Sequence, residues 1–204
     1  PPRSNLDMAA FHASYQDLDA AEHFARCGLD LAPDSAYGHE IMARVHDARG
    51  DLEDALAELD EAAALGSHTD WLHAQRGRIL LRLGKHEEAA RELATVYSRD
   101  ASRADVLPDL VLALADLGRG EEALEKARAL EVLEPEQAGT QETLGVAMQA
   151  AGDVEGAERA FIQSLSMEPG RVATLERLGL MLVSLDRGAE RVQMWLAAAR
   201  GDPA

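Results

Sequence analysis

The chain has 204 residues, 28% of them charged, and a formal net charge of −17 at pH 7. A phosphate-binding surface needs clustered cations, so this balance argues against nucleic acid, and equally against an anionic membrane surface, as a partner. Only 4% of the residues are aromatic although 47% are hydrophobic, which predicts a core made mainly of Ala, Leu, Val and Met. Abundant helix formers with Gly and Pro at regular steps predict an all-α protein.

The sequence contains no candidate for a membrane-spanning helix. Its apolar stretches, such as residues 178–185, are far shorter than the roughly 20 residues that such a helix needs. Cys27 is the one cysteine, so we interpret it as an inert thiol that leaves cytoplasm and periplasm equally open. Because the first residue is Pro rather than Met, we expect the sequence to be a piece of a longer protein.

A step of 34 residues runs through the whole chain. Glycine, alanine and proline recur at this step, at Gly50, Gly84, Gly118, Gly152, Ala21, Ala55, Ala89, Ala123, Ala157, Pro135, Pro169 and Pro203. A fixed period of this length indicates one supersecondary unit that is copied along the chain. We predict one array over residues 1–204, made of six repeats: 2–35, 36–69, 70–103, 104–137, 138–171 and 172–204.

In chain order, the first repeat is the least regular, because Gln16 stands where later repeats have glycine. The second and third repeats keep the turn glycine and the alanine but lack the terminal proline. The fourth has Val111 where a small residue is expected. The fifth is the clearest, and its helical spacing predicts helices over about 139–151 and 154–167. The sixth has Arg191 at the alanine position.

Each repeat therefore reads as helix, tight turn, helix, turn, which gives twelve helices. Glycine ends the first helix because it accepts the left-handed conformation, and proline ends the second. The recurring alanine heads the second helix, where its small side chain lets the two helices approach closely. Small residues on the first helix have the same role, at Ala9, Ala43, Gly77, Gly145 and Gly179.

The fifth repeat carries the strongest family signal, in Leu144-Gly145, Gly152, Ala157, Phe161 and Pro169. These residues resemble the motif of the tetratricopeptide repeat (TPR) family, and the resemblance extends over all six repeats. It implies an α-solenoid that winds as a right-handed superhelix, with the first helices of the repeats lining a concave groove. It also implies a non-catalytic role in binding proteins or peptides.

The groove positions that the resemblance implies are richest in cationic and aromatic residues in the second and third repeats. They are Tyr37, Arg44, Trp71, Gln75, Arg78 and Arg82, with Arg103 on the connection that follows. Two arginines one turn apart repel each other unless an anion joins them, so we expect an acidic segment as the partner. The alternative is that these arginines pair internally, with Glu40, Asp47, and Asp105 or Asp109.

No catalytic, cofactor or metal site emerges from the motifs. Residues 118–123 have the form GxGxxA, but a dinucleotide fingerprint must follow a strand, so we interpret Gly118 as a turn residue. His39 and His73 lie one repeat apart, with no carboxylate or thiolate at ligand spacing. We therefore interpret them as inter-helix packing residues that keep one ring nitrogen on water or a carbonyl.

Three functions remain open at this level. The leading hypothesis is a protein-interaction scaffold that binds a peptide or protein segment in its groove. The second is a recruiting or docking domain of a larger enzyme or a secretion or assembly machine, whose chemistry lies outside this chain; it is favoured because terminal repeats usually need a solvating face and no polar capping helix follows Trp195. The third is a scaffold that self-assembles through exposed end repeats.

Overall fold

The structure is a computed structural model that describes residues 1–189 and Gln193. Its regular elements are helical, and eleven α-helices have both ends within those residues. In chain order they are α1 (Pro2–Ser14), α2 (Leu18–Leu31), α3 (Ala36–Arg49), α4 (Leu52–Ala64), α5 (Asp70–Arg82), α6 (His86–Arg99), α7 (Leu107–Asp116), α8 (Gly120–Leu133), α9 (Ala138–Ala150), α10 (Val154–Met167) and α11 (Val172–Ser184). The predicted all-α fold is confirmed.

The helix bounds follow the predicted repeats closely. In the fifth repeat, α9 begins and ends one residue before its predicted bounds, and α10 has them unchanged. The fourth repeat differs, because a short 3-10 turn over Ala104–Val106 precedes α7, which then starts with Pro108 in its first turn. Proline suits that position because backbone N–H groups in the first turn of a helix have no partner within the helix, so its missing N–H costs no hydrogen bond. The second helix of the sixth repeat, with Arg191, lies outside the described residues.

The chain divides into two compact units, Pro1–Val96 and Tyr97–Ala204. In the first unit, each helix from α1 to α4 packs on the next one in the chain, and α1 also contacts α3. In the second unit, the helices from α7 to α11 follow the same order, and α7 also contacts α9. Helix pairs thus pack in sequence within each unit. That all six repeats form one continuous array stays a prediction.

The turn inside each repeat contains one residue in the left-handed conformation. The predicted turn glycines all have positive φ angles: Gly50 (87°), Gly84 (71°), Gly118 (70°) and Gly152 (85°). The same step of 34 places Gln16 (60°) and Asp186 (61°) at the equivalent positions. The first and sixth repeats therefore make the same turn without glycine, although a side chain strains that backbone conformation.

This strain gives a first testable prediction. Gln16→Gly should stabilise the protein by about 1 kcal/mol, because glycine adopts the left-handed conformation without the steric penalty. Gly152→Ala should destabilise it by a similar amount. A Cβ at Gly152 would meet nothing within 4 Å, so backbone strain is the main cost. Urea unfolding of both variants measures the two changes, and equal free energies for Gln16→Gly and the wild type would contradict the prediction.

The two helices of a repeat approach closely where the sequence predicts small residues. The alanines that head the second helices are fully buried in all five repeats that carry them. A Cβ built on Gly77 would lie 2.5 Å from Leu93 Cγ, and one on Gly145 would lie 2.5 Å from Phe161 Cε1. Real Cβ atoms do not come this close to a neighbour. The interpretation of these positions as close contacts between helices is confirmed.

Candidate functional site

A cleft of about 680 Å³ in the first compact unit opens beside α3 and α5. Its lining comes from the turn between α1 and α2, from α3 and from α5, and comprises Ala13, Gln16, Leu18, Arg44, Asp47, Ala48, Trp71 and Gln75. Arg44 and Ala48 are one turn apart on α3, and Trp71 and Gln75 are one turn apart on α5. This spacing places each pair on one face of its helix.

The cleft brings together three of the residues that the sequence suggested for the groove: Arg44, Trp71 and Gln75. The same three residues also line a small adjoining cavity, together with Leu59 and Ile79, which are almost fully buried. The cleft thus carries a guanidinium, an indole and an amide beside the apolar side chains of Ala13, Leu18 and Ala48.

The charges around the cleft are unequally paired. Arg82, half-exposed at the end of α5, forms an ion pair with Asp47 of the cleft wall. Arg44 is exposed and makes no hydrogen bond or ion pair with any residue that the structure describes. The side chains of Trp71 and Gln75 make no hydrogen bond within the same residues. Arg44 is therefore the cation in this cleft that a ligand could meet directly.

The other residues of the predicted groove lie elsewhere or are engaged. Tyr37 is exposed and lines a separate cleft of about 490 Å³ beside the start of α1. Arg78 is half-buried on α5 and has interaction partners of its own. Arg103 belongs to the second compact unit, where its guanidinium donates to both Asp105 carboxylate oxygens, at 2.7 and 2.9 Å. Internal pairing thus holds for Arg82 and Arg103.

A smaller cleft of about 170 Å³ lies between α7 and α9 in the second compact unit. Glu142 of α9 accepts a 2.5 Å hydrogen bond from Arg171, and Arg177 approaches the same carboxylate to 3.5 Å. The bond to Glu142 raises the pKa of the Arg171 guanidinium above its usual range. The cationic groups at this cleft already share a carboxylate, so it offers a poorer anion site than the cleft around Arg44.

Two histidines have carboxylate partners that the sequence interpretation missed. His39 Nδ1 lies 2.7 Å from Glu58 Oε2, and His73 Nδ1 lies 2.6 Å from Glu92 Oε2. The sequence argument considered only ligand spacing along the chain, so it did not predict these two carboxylate partners. His39 also makes the carbonyl contact that was expected, since its Nε2 lies 3.1 Å from the carbonyl oxygen of Pro33. Each pair joins the two helices of one repeat. Glu58 and Glu92 are 34 residues apart, like the histidines, and this shared step could have predicted the pairing.

The motifs that resemble cofactor or metal sites have structural roles. Gly118 makes the turn between α7 and α8, and a Cβ on Gly120 would collide with the backbone at Ala150. Across residues 1–189 and Gln193, no three His, Cys, Asp or Glu side chains are grouped so that they could hold a metal ion. Within the same part of the chain, no helix is both long and apolar enough to cross a membrane.

Comparison with known proteins gives two sequence similarities. The family model described as "Bacterial transcriptional activator domain" matches residues 68–140. Protein FlbA of Caulobacter vibrioides is 27% identical over 165 residues, which cover 81% of this chain and 28% of FlbA. The chain therefore spans little more than a quarter of the length of this curated relative.

Solved structures are similar over most of the chain. A TPR protein from Parabacteroides merdae ATCC 43184 has a TM-score of 0.83 at 14% identity, and the match covers 100% of this chain and 80% of that protein's chain. YrrB, described as a TPR protein with an unusual peptide-binding site, has a TM-score of 0.75 at 19% identity. That match covers 85% of this chain and 89% of the YrrB chain. The chain therefore has the TPR-like repeat fold.

Proposed function

We propose that this chain is a non-catalytic interaction module that binds a protein segment with an acidic side chain in the cleft around Arg44. The observation that carries this proposal is the guanidinium of Arg44, which lines the same cleft as Trp71 and Gln75 and has no partner among the described residues, whereas Arg82 is paired. A module with a TPR-like fold needs a concave, partly apolar surface with a few polar groups for its ligand. This cleft provides one.

The side chains of Arg44, Trp71 and Gln75 each have a distinct part in recognition. Arg44 donates two parallel hydrogen bonds to a carboxylate of the ligand, since the guanidinium geometry matches a carboxylate. The Trp71 ring covers an apolar side chain next to that carboxylate, and aromatic residues of this kind are frequent hot spots. The Gln75 amide bonds to the backbone of the ligand. Arg82 neutralises Asp47, which would otherwise repel an acidic segment.

The proposal is tested by selecting peptides from a displayed random library on the immobilised chain and measuring their affinities by fluorescence anisotropy. We expect selected peptides to combine Asp or Glu with a neighbouring apolar residue. Arg44→Ala should weaken binding by at least about 2 kcal/mol, or roughly 30-fold, because a buried charge pair loses one partner. Affinity should also fall with rising salt, since exposed parts of the interaction are screened.

The matched control is Arg128→Ala, which removes an exposed arginine from α8 in the second compact unit. It lowers the positive charge by the same amount but leaves the cleft unchanged, so affinity should stay at the wild-type value. Equal affinities for the wild type and Arg44→Ala would contradict the proposal. Equal losses for Arg44→Ala and Arg128→Ala would reduce the effect to one of net charge.

The family-model match over residues 68–140 favours a second candidate function. On this alternative, the chain is the interaction domain of a longer bacterial regulator of transcription. An in-frame deletion of the codons for these 204 residues should then change the abundance of a defined set of transcripts. An unchanged transcript profile would count against the alternative and leave the cleft proposal as it stands.

A further inference from the structure

Gln16 is held in a backbone conformation that its residue type disfavours. Its φ of 60° is left-handed, and glycine stands at the equivalent position in the second to fifth repeats. Among residues 1–189, the other left-handed residue with a side chain is Asp186. Asp tolerates this conformation because its short polar side chain can bond to the nearby backbone, an advantage that the longer Gln side chain lacks. The turn pattern of the repeats therefore does not account for Gln16.

The Gln16 side chain is not needed to form the turn. Its backbone N–H donates to Ala13 O at 3.2 Å, and glycine makes the same bond in the second repeat, where Gly50 N–H donates to Asp47 O at 3.0 Å. Across residues 1–189 and Gln193, the side-chain amide of Gln16 makes no hydrogen bond. A glycine at this position would therefore form the same turn with less backbone strain.

Gln16 lies where a bound ligand would meet it. It is exposed and lines the cleft around Arg44, together with Ala13 before it and Leu18 after it. Asp186 is not among the residues that line this cleft. Strained backbone is found mainly at sites of function, where the side chain is kept for binding although folding disfavours it. Gln16 combines such strain with an exposed amide in a cleft, and a role in folding accounts for neither.

We propose that Gln16 is a further binding residue of this cleft and that its carboxamide bonds to a peptide group of the ligand, an inference that rests on the proposed function. A carboxamide has both a donor and an acceptor, as a peptide group has, so the two groups can pair through both. Gln75 brings a second carboxamide into the same cleft from α5. The two glutamines bond to the backbone of the ligand while Arg44 binds its carboxylate.

Two carboxamides in one cleft also indicate which kind of segment binds. In a helical ligand the backbone N–H and C=O groups bond to one another, and only those of the first and last turns stay free. An extended segment leaves these groups free along its whole length. Gln16 and Gln75 come from different elements, so the free peptide groups that they meet are spread along the ligand. The ligand is therefore an extended segment with an acidic side chain.

Variants of Gln16 test this role with the peptides that are selected on the wild-type chain. Gln16→Gly should raise the urea midpoint, since it relieves the strain, but weaken peptide binding roughly threefold to tenfold, as the loss of one hydrogen bond does. Gln16→Met keeps a side chain of similar length in the same backbone conformation and lacks the amide. It should weaken binding to the same extent and leave the urea midpoint at the wild-type value.

The matched control is Asp186→Gly, which removes the side chain from the equivalent turn of the sixth repeat. Affinity should stay at the wild-type value in a buffer of physiological salt, which screens the loss of the Asp186 charge. The ligand backbone gives a second readout. N-methylation of the peptide bond that Gln16 meets should weaken binding to the wild type, but the same methylation should have no further effect on binding to Gln16→Met.

Each outcome separates this inference from the proposed function. Wild-type affinity in Gln16→Met would overturn the role of the amide, and a loss in Gln16→Gly alone would assign the effect to the rigidity of the turn. In both cases the proposed function stands if Arg44→Ala still weakens binding. Wild-type affinity in Arg44→Ala would overturn the proposed function itself. A selected peptide that is helical when bound would overturn the extended ligand, and a library that yields no binding peptide would overturn both proposals.

Discussion

Ala157→Phe and Ala89→Phe are expected to destabilise the protein by about 3 kcal/mol each, at the upper end of what overpacking costs. Both alanines are fully buried at the start of a second helix, where the helix packs on its partner in the repeat. Because the alanine at either position is fully buried, a phenyl ring there must push the two helices apart. Thermal and urea unfolding measure the change in the free energy of unfolding.

The matched control for Ala89→Phe is Glu88→Gln, on the adjacent residue. Glu88 is exposed on the outer side of α6, and its replacement should change the free energy of unfolding by less than about 0.5 kcal/mol. If Ala89→Phe were as stable as Glu88→Gln, the alanine could not set the distance between the helices. The assignment of the 34-residue register would then be wrong.

Phe161→Ala should have a comparable or larger effect, a loss of about 3–5 kcal/mol. Phe161 is the largest fully buried side chain among residues 1–189, and its ring lies directly against Gly145 of the facing helix. Gly145 has no side chain, so the Phe161 ring alone fills the space between the two helices. Truncating Phe161 to alanine therefore leaves a cavity. Chemical denaturation of the variant measures the loss.

Two further variants at this site separate the cavity from other causes. Phe161→Leu should cost much less than Phe161→Ala, because Leu93 fills the same place opposite Gly77 in the third repeat. Ile162→Ala removes a neighbouring side chain that is 40% exposed and should cost less than either. A similar loss for Ile162→Ala and Phe161→Ala would mean that burial against Gly145 is not the reason.

Most of the fold could be predicted from the sequence because the same pattern of residues recurs in each repeat. A single glycine is a weak signal for a turn. Four glycines at a step of 34 predict the turn even at the equivalent position Gln16, where the residue type argues against it: Gly50, Gly84, Gly118 and Gly152. The late start of α7 was not predicted. Its cause is local, since Pro108 in the first turn of α7 departs from the pattern of the other repeats.

The cleft was less predictable than the fold. Helical spacing and the step of 34 were sufficient to nominate Arg44, Trp71 and Gln75, which the structure brings together. The sequence spacing could not show which arginine forms an internal ion pair, because Arg82 pairs with Asp47, 35 residues away and on another helix. Such ion pairs depend on side-chain conformations and on contacts between repeats. The periodic pattern of the sequence specifies neither of them.

The pairing of small with large residues inside a repeat also decides which pieces of this chain could recombine. Gly77 faces Leu93 and Gly145 faces Phe161, while the same register in the fourth repeat holds Val111 and Ala127, both fully buried. Transplanting α9 into the fourth repeat would set Gly145 against Ala127 and open a void. Transplanting α7 into the fifth would drive Val111 into the ring of Phe161. The unit that could be exchanged between positions of this protein is therefore the helix pair of one repeat. Single helices cannot be exchanged without a void or a clash.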